Sequence, residues 1–137
     1  MLYDISPTVS PRLAVWPGDT PPERAVLLDL ARGDSVTLST LRATVHLGAH
    51  ADAPNHYGRD ASDIAERDLA YYLGPCQVVR ARVGRGERVS HAMLADPIDS
   101  PRVLIATDTY PDPQRWNEDF AGLEPALVDD LAARNVR

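Results

Sequence analysis

A mixed α/β domain is the fold class that the sequence predicts, and three observations predict it. Short runs rich in Val, Leu and Ile at 77–83 and 102–107 have the length and composition of buried strands. Residues 124–135 place apolar side chains at helical spacing, behind a proline that suits a first turn. The 137 residues contain no internal repeat, low-complexity tract or linker, so we expect a single domain over 1–137.

The N-terminal part of the chain is predicted to be extended. Leu2–Ile5 has the composition of a short strand, and the prolines that follow restrain the backbone without favouring helix. Trp16 lies in this stiff stretch, where it is either a core side chain or a wall for an aromatic ligand, and the residues alone leave both open. Residues 24–31 are predicted to form a strand and 32–34 a turn.

Residues 36–47 alternate apolar and polar side chains, which predicts a strand with one face on the core. The core face would carry Leu41, Ala43, Val45 and Leu47. The opposite face would carry Thr44 and His46, so this strand is expected to deliver polar groups to a site.

Shorter elements are predicted in the second half of the chain. They are a helix from Ser62 or Asp63 to Tyr71, a helix over 90–95 capped by Ser90, and a loop over 111–122 anchored by Trp116 and Phe120. In the helix at 124–135, Leu127, Val128 and Leu131 share one stripe. Cys76 precedes a strand and is expected to be a small buried side chain, whereas His91 is expected to be exposed.

Three of the four histidines lie with a carboxylate in one short segment. His46, His50, Asp52 and His56 occupy even positions, so an extended chain would direct all four to one face. On a straight strand His46 and His50 would lie about 13 Å apart, too far to share an ion, so the chain must bend, and Gly48 permits the bend. Imidazoles with a carboxylate suit zinc or a similar divalent metal.

Composition argues against several classes of protein. The net charge is −6 and Lys and Arg form no cluster, so we expect no nucleic-acid partner. One cysteine excludes an internal disulfide and is typical of a reducing compartment. The sequence has neither the pattern of a signal peptide nor an apolar run of membrane-spanning length, so we expect a cytoplasmic protein without a membrane partner.

The histidine segment resembles the His-x-Gly-(Thr/Ala)-His-x-Asp-x-Pro-x-His signature of the cyclase-like metal-dependent hydrolases. Further motifs support this resemblance in the same order: Asp4–Pro7, Val15–Pro21 with Trp-Pro-Gly-Asp, and Tyr72–Cys76 with Gly-Pro-Cys. Within this family the chain is most similar to the bacterial kynurenine formamidases, also called arylformamidases.

The resemblance implies a swivelling β/β/α fold and a hydrolase that removes formate from N-formyl-L-kynurenine, an aromatic formamide of tryptophan breakdown. It implies two divalent ions, zinc or manganese, with His46, His50 and Asp52 on the first and Asp52 bridging to the second. His56 would transfer protons and Trp16 would contact the substrate. Relatives of this kind are commonly homodimers.

The sequence departs from the family pattern in one respect. The family completes its second metal position with a later His and Glu, and no histidine follows His91 here. We therefore expect the chain to correspond to about the first two thirds of such an enzyme. Three alternatives stay open: a family hydrolase of a cyclic, isatin-type amide, a non-catalytic metal-binding module, and a polar segment without metal.

Overall fold

The computed structural model describes residues 3–137, and within them the chain forms two compact units. The first takes the described residues up to Asp52 together with Asp112–Trp116. The second takes Ala53–Pro111 and Asn117–Arg137. Both strands and helices are present, which confirms the mixed α/β class. The single domain over 1–137 stays a prediction.

The first unit contains an antiparallel hairpin. Strand β1 is Glu23–Leu28 and strand β2 is Leu38–Arg42. β1 ends where Asp29 begins a 3-10 turn, Leu30–Arg32, by accepting a hydrogen bond from the backbone of Ala31. Gly33 closes this turn at φ +92°. The predicted strand and turn are therefore confirmed with β1 three residues shorter at its end, because the Asp29 cap competes with the ladder.

Two predicted features of the first unit are wrong. Residues 3–5 form no strand, and the remaining residue of that prediction, Leu2, lies outside the described residues. The strand predicted over 36–47 is confirmed only as Leu38–Arg42, because in the register of the hairpin the residues opposite 43 and 44 are Pro22 and Pro21, which have no N–H to donate. Its expected core face is also wrong, since Leu41 and Val45 are 66% and 86% exposed.

The second unit contains two parallel strand pairs among the described residues. β3, Gln77–Arg80, pairs with β5, Val103–Ala106. β4, Arg88–Val89, pairs with β6, Gly122–Leu123. The strands predicted at 77–83 and 102–107 are confirmed in shortened form, but their predicted burial is wrong in part: Val79 is buried, whereas Val78 and Leu104 are 66% and 47% exposed.

Helix α1, Pro125–Ala133, packs on these strands. Its first turn begins with Pro125, and it ends where Asn135 takes φ +56° and the N–H of Val136 bonds back to Leu131, at 2.8 Å. The core of the unit consists of Val79, Ala81, Val89, Ile98, Leu127 and Leu131. Val128 was predicted on the same stripe and is 45% exposed, so that part of the prediction is wrong.

Two short helices predicted in the second unit form 3-10 turns instead. The helix over 63–71 is reduced to a 3-10 turn, Leu69–Tyr71, because Asp68 is extended, at ψ 127°, and begins a new turn by accepting the N–H of Ala70. The helix over 90–95 is likewise a 3-10 turn, His91–Met93, and His91 is exposed as predicted.

Cys76 is exposed, so its predicted burial is wrong, since the strand that buries Val79 begins only after it. The two predicted loop anchors differ: Trp116 is half-buried in the first unit, and Phe120 is exposed in the second, edge-on to Tyr110. In residues 3–137 no helix has the length and apolar character needed to cross a bilayer.

Candidate metal centre

The backbone bends at Gly48, as the sequence predicts. After β2 the chain from 43 to 53 is irregular, and Gly48 takes φ +63°, a left-handed conformation that side chains disfavour. A Cβ at this position would lie 3.3 Å from Cδ2 of the buried Leu13. Glycine is therefore favoured at position 48 for two reasons, the φ angle and the close approach of Leu13.

This bend brings three of the predicted site residues together. His46 Nδ1 lies 2.9 Å from Asp52 Oδ1 and 3.2 Å from His50 Nε2. His50 Nε2 lies 3.5 Å from the same Asp52 oxygen. The three side chains are about one third exposed, at 34%, 32% and 41%, so the cluster opens to solvent. Their meeting depends on the bend, as predicted. The shared strand face that was also predicted from the sequence is not what brings them together.

A backbone hydrogen bond orients the ring of His50. Its Nδ1 lies 2.8 Å from the carbonyl oxygen of Gly48, and because a carbonyl only accepts, Nδ1 carries the hydrogen of this bond. In a neutral ring the lone pair is then on Nε2, the atom that faces His46 and Asp52. The carbonyl of Gly48, the residue at which the chain bends, therefore also sets the orientation of the His50 ring.

The donor set fits a divalent cation. Two ligand atoms about 2.1 Å from a tetrahedral ion lie roughly 3.4 Å apart, and the three separations here range from 2.9 to 3.5 Å. The three atoms lie within 4.8 Å of one another, and each belongs to a residue type that can bind a metal ion. Imidazole with carboxylate is a set that accepts zinc or manganese.

A second carboxylate is connected to this segment through Thr44. The Thr44 hydroxyl donates to Asp19 Oδ2 at 2.5 Å and accepts the His46 N–H at 3.2 Å. The Thr20 N–H donates to Asp19 Oδ1 at 2.7 Å. The hydroxyl of Thr44, and after it the N–H of Thr20, stabilise the charged carboxylate and hold the pKa of Asp19 below its ordinary value.

Trp16, the predicted substrate contact, is exposed on the first unit. It is 62% exposed, and its ring meets Trp116 edge-on with centroids 5.0 Å apart. Trp16 opens a tight turn that ends at Asp19, whose N–H donates to the Trp16 carbonyl at 2.9 Å. An exposed indole supported by a second indole has a free surface on which an aromatic ring can stack.

His56, the predicted proton-transfer residue, belongs to the second unit. It ends the 3-10 turn Pro54–His56, and its ring lies edge-on to Tyr57 with centroids 4.4 Å apart. Its side chain is exposed to solvent. The strand face that was expected to carry His56 with the other three side chains is absent here, because Pro54 begins a turn.

Neither Asp19 nor Thr44 is predicted as a site residue from the sequence. Asp19 is the last residue of the Trp-Pro-Gly-Asp motif, and an acid after Pro-Gly is common in turns. The motif therefore predicted a turn, but it did not indicate which residue Asp19 would bond to. Thr44 stands two residues before His46 and was assigned to a strand.

The chain matches the model of a known protein family. The family model described as "Putative cyclase" matches residues 3–137, which include the whole histidine segment and the Trp-Pro-Gly-Asp turn. The match fits a hydrolase-type enzyme. With nearly the whole sequence covered, this chain belongs to the cyclase family.

Proposed function

We propose that this chain is a metal-dependent amide hydrolase that acts on an aromatic N-formyl amine, with N-formyl-L-kynurenine as the substrate and L-kynurenine and formate as products. The observation that carries the proposal is the convergence of His46, His50 and Asp52 within 3.5 Å of one another. Membership of the cyclase family supports a hydrolase and leaves the substrate to be tested.

In this proposal His46, His50 and Asp52 would hold the first of two divalent ions, zinc or manganese, and Asp52 would also serve the second, which in the family needs a later His and Glu. A bound ion supplies a Lewis acid that polarises the formyl carbonyl and makes water a stronger nucleophile at neutral pH. The hydrogen bond from His50 to the Gly48 carbonyl directs Nε2 of the ring toward His46 and Asp52, the other two residues that would hold the ion.

The remaining steps fall to side chains. Hydrolysis of a formamide needs a proton for the departing amine, and an imidazole takes up and releases protons near neutral pH. We assign this role to His56. Trp16 would stack on the aromatic ring of the substrate, which the exposure of its indole favours. A cytoplasmic homodimer completes the proposal.

The test has two steps: reconstitution of this chain with Zn²⁺ or Mn²⁺ followed by metal analysis, and an assay of formate release from N-formyl-L-kynurenine in a form that also supplies the later His and Glu of the second metal position. We expect bound metal in the first step and turnover in the second. His50→Ala should lose metal and turnover together, whereas His56→Ala should keep metal and lose about 10²- to 10⁴-fold in kcat, the usual contribution of a proton-transfer residue.

The matched control is His91→Ala. His91 lies outside the cluster, and its ring pairs with Asp130. This variant should keep both metal and activity. Isatin, assayed beside the formamide, distinguishes a cyclic-amide hydrolase. One bound ion per chain without hydrolysis of either substrate, even with the later His and Glu supplied, would indicate a binding module, and metal content near zero after reconstitution would reject the metal site.

A further inference from the structure

The Trp-Pro-Gly-Asp segment forms a turn with a defined geometry. Pro17 and Gly18 are its two central residues, Gly18 takes φ +92°, and the N–H of Asp19 donates to the carbonyl of Trp16 at 2.9 Å. Proline followed by a glycine with positive φ is typical of a type II turn. The turn sets the position of the Asp19 backbone, from which its carboxylate extends, relative to Trp16.

The carboxylate of Asp19 joins this turn to the histidine segment. It accepts the Thr44 hydroxyl at 2.5 Å, and the backbone adds a second link because the Thr44 N–H donates to Thr20 at 3.1 Å. The pair that this creates is separated by 25 positions in the sequence. The irregular chain after β2 is thus fastened at Thr44 by two hydrogen bonds.

The same hydroxyl continues to His46. Having donated its proton to Asp19, Oγ1 of Thr44 accepts the N–H of His46 at 3.2 Å. A hydroxyl that donates to a carboxylate becomes a better acceptor, so the two bonds reinforce each other. Carboxylate, hydroxyl and backbone N–H form one chain that ends on the residue whose Nδ1 contacts His50 and Asp52.

We propose that Asp19 is a positioning residue that acts through Thr44 to hold the backbone of His46 where Nδ1 shares a cation with His50 and Asp52. This inference rests on the proposed function, because it assigns the pair to the metal site. Asp19 has no direct role in the reaction on this view. Its removal should weaken metal binding by about 10- to 100-fold, the usual effect of a group that orients a ligand.

The experiment compares four variants of the full chain: Asp19→Ala, Thr44→Val, Thr44→Ser and Asp34→Ala. Zn²⁺ affinity is measured by competition with a chromophoric chelator, and the visible spectrum of bound Co²⁺ reports ligand geometry. Asp19→Ala and Thr44→Val should lower the affinity and change the spectrum. Thr44→Ser keeps the hydroxyl and should bind as the parent does.

Asp34→Ala is the matched control, since Asp34 is a half-buried carboxylate of the same unit that accepts a backbone hydrogen bond, from Asp29. It should lower thermal stability without changing Zn²⁺ affinity or the Co²⁺ spectrum. The double variant Asp19→Ala with Thr44→Val should bind no more weakly than the weaker single variant, because both changes break one link.

The outcomes separate the two proposals. If the parent binds metal and Asp19→Ala and Thr44→Val bind it equally well with an unchanged Co²⁺ spectrum, the positioning role is overturned and the proposed function stands. Unchanged affinity in Thr44→Val with reduced affinity in Thr44→Ser would also overturn it. A parent chain that binds no Zn²⁺ or Co²⁺ would remove both proposals.

Discussion

Helix α1 and the segment 43–52 hold their positions by different forces. α1 buries Leu127 and Leu131 in an apolar core, whereas no residue from Ala43 to Asp52 is buried. The segment is held by the hydrogen bonds of Thr44 with Asp19 and Thr20 and by that of His50 Nδ1 with the Gly48 carbonyl. Burial is non-directional and shows in the spacing of apolar residues, while the polar bonds depend on individual partners, some of them far apart in the sequence.

The largest expected effect concerns the apolar side of this comparison. Leu127 is 0% exposed, so Leu127→Ala leaves a cavity and should lower the free energy of unfolding by about 2–5 kcal/mol. Val128→Ala is the control, because Val128 is 45% exposed and should cost less than about 1 kcal/mol. Urea denaturation of both variants measures the difference, and equal costs would contradict the packing described for α1.

A smaller effect is expected at the bend. Gly48→Ala forces a side chain into φ +63° and against Leu13, which should cost about 1–2 kcal/mol of unfolding free energy and weaken metal binding. Gly122→Ala is the control, since an added Cβ there meets no atom within 4 Å. Thermal unfolding and Zn²⁺ competition are the measurements, and a Gly48→Ala variant as stable as Gly122→Ala would show that the bend is not constrained.

The smallest effect is an acid-dependent change in α1. The His91 ring and then the Arg134 guanidinium stabilise the carboxylate of Asp130 and hold its pKa below the ordinary value of 3.8. A folded-state pKa below the unfolded one means that the contribution is complete above 3.8 and is lost as the pH falls through the lower folded value.

The measurement is the melting temperature of the parent and of Asp130→Asn as a function of pH. Asp130→Asn should melt slightly lower at neutral pH and should lose less stability on acidification. The effect is small because the pair is exposed. Asp129→Asn changes the neighbouring exposed carboxylate, and the idea fails if it flattens the acid response as much as Asp130→Asn does.

Much of the second unit could be predicted from the sequence. Strands β3 and β5 and helix α1 follow from apolar runs and helical spacing, because burial selects those patterns. The exceptions have local causes. Asp68 begins a new turn where a continuous helix was expected, and Cys76 precedes β3, in which only Val79 is buried.

The candidate site was predicted in part. The sequence indicates that His46, His50 and Asp52 meet through a bend at Gly48, and the structure has both the bend and the meeting. It did not reveal that the Thr44 hydroxyl bonds to Asp19, because that bond joins distant residues and no periodicity encodes it. The bound metal, the proton transfer by His56 and the substrate contact of Trp16 stay predictions.

The exposed thiol of Cys76 has a practical consequence. It is the only cysteine in the sequence, so a thiol-reactive nitroxide attaches at one defined position without any mutation. A dipolar coupling between two such spin labels then arises only when two copies associate, and its distance distribution reads out the geometry of the assembly.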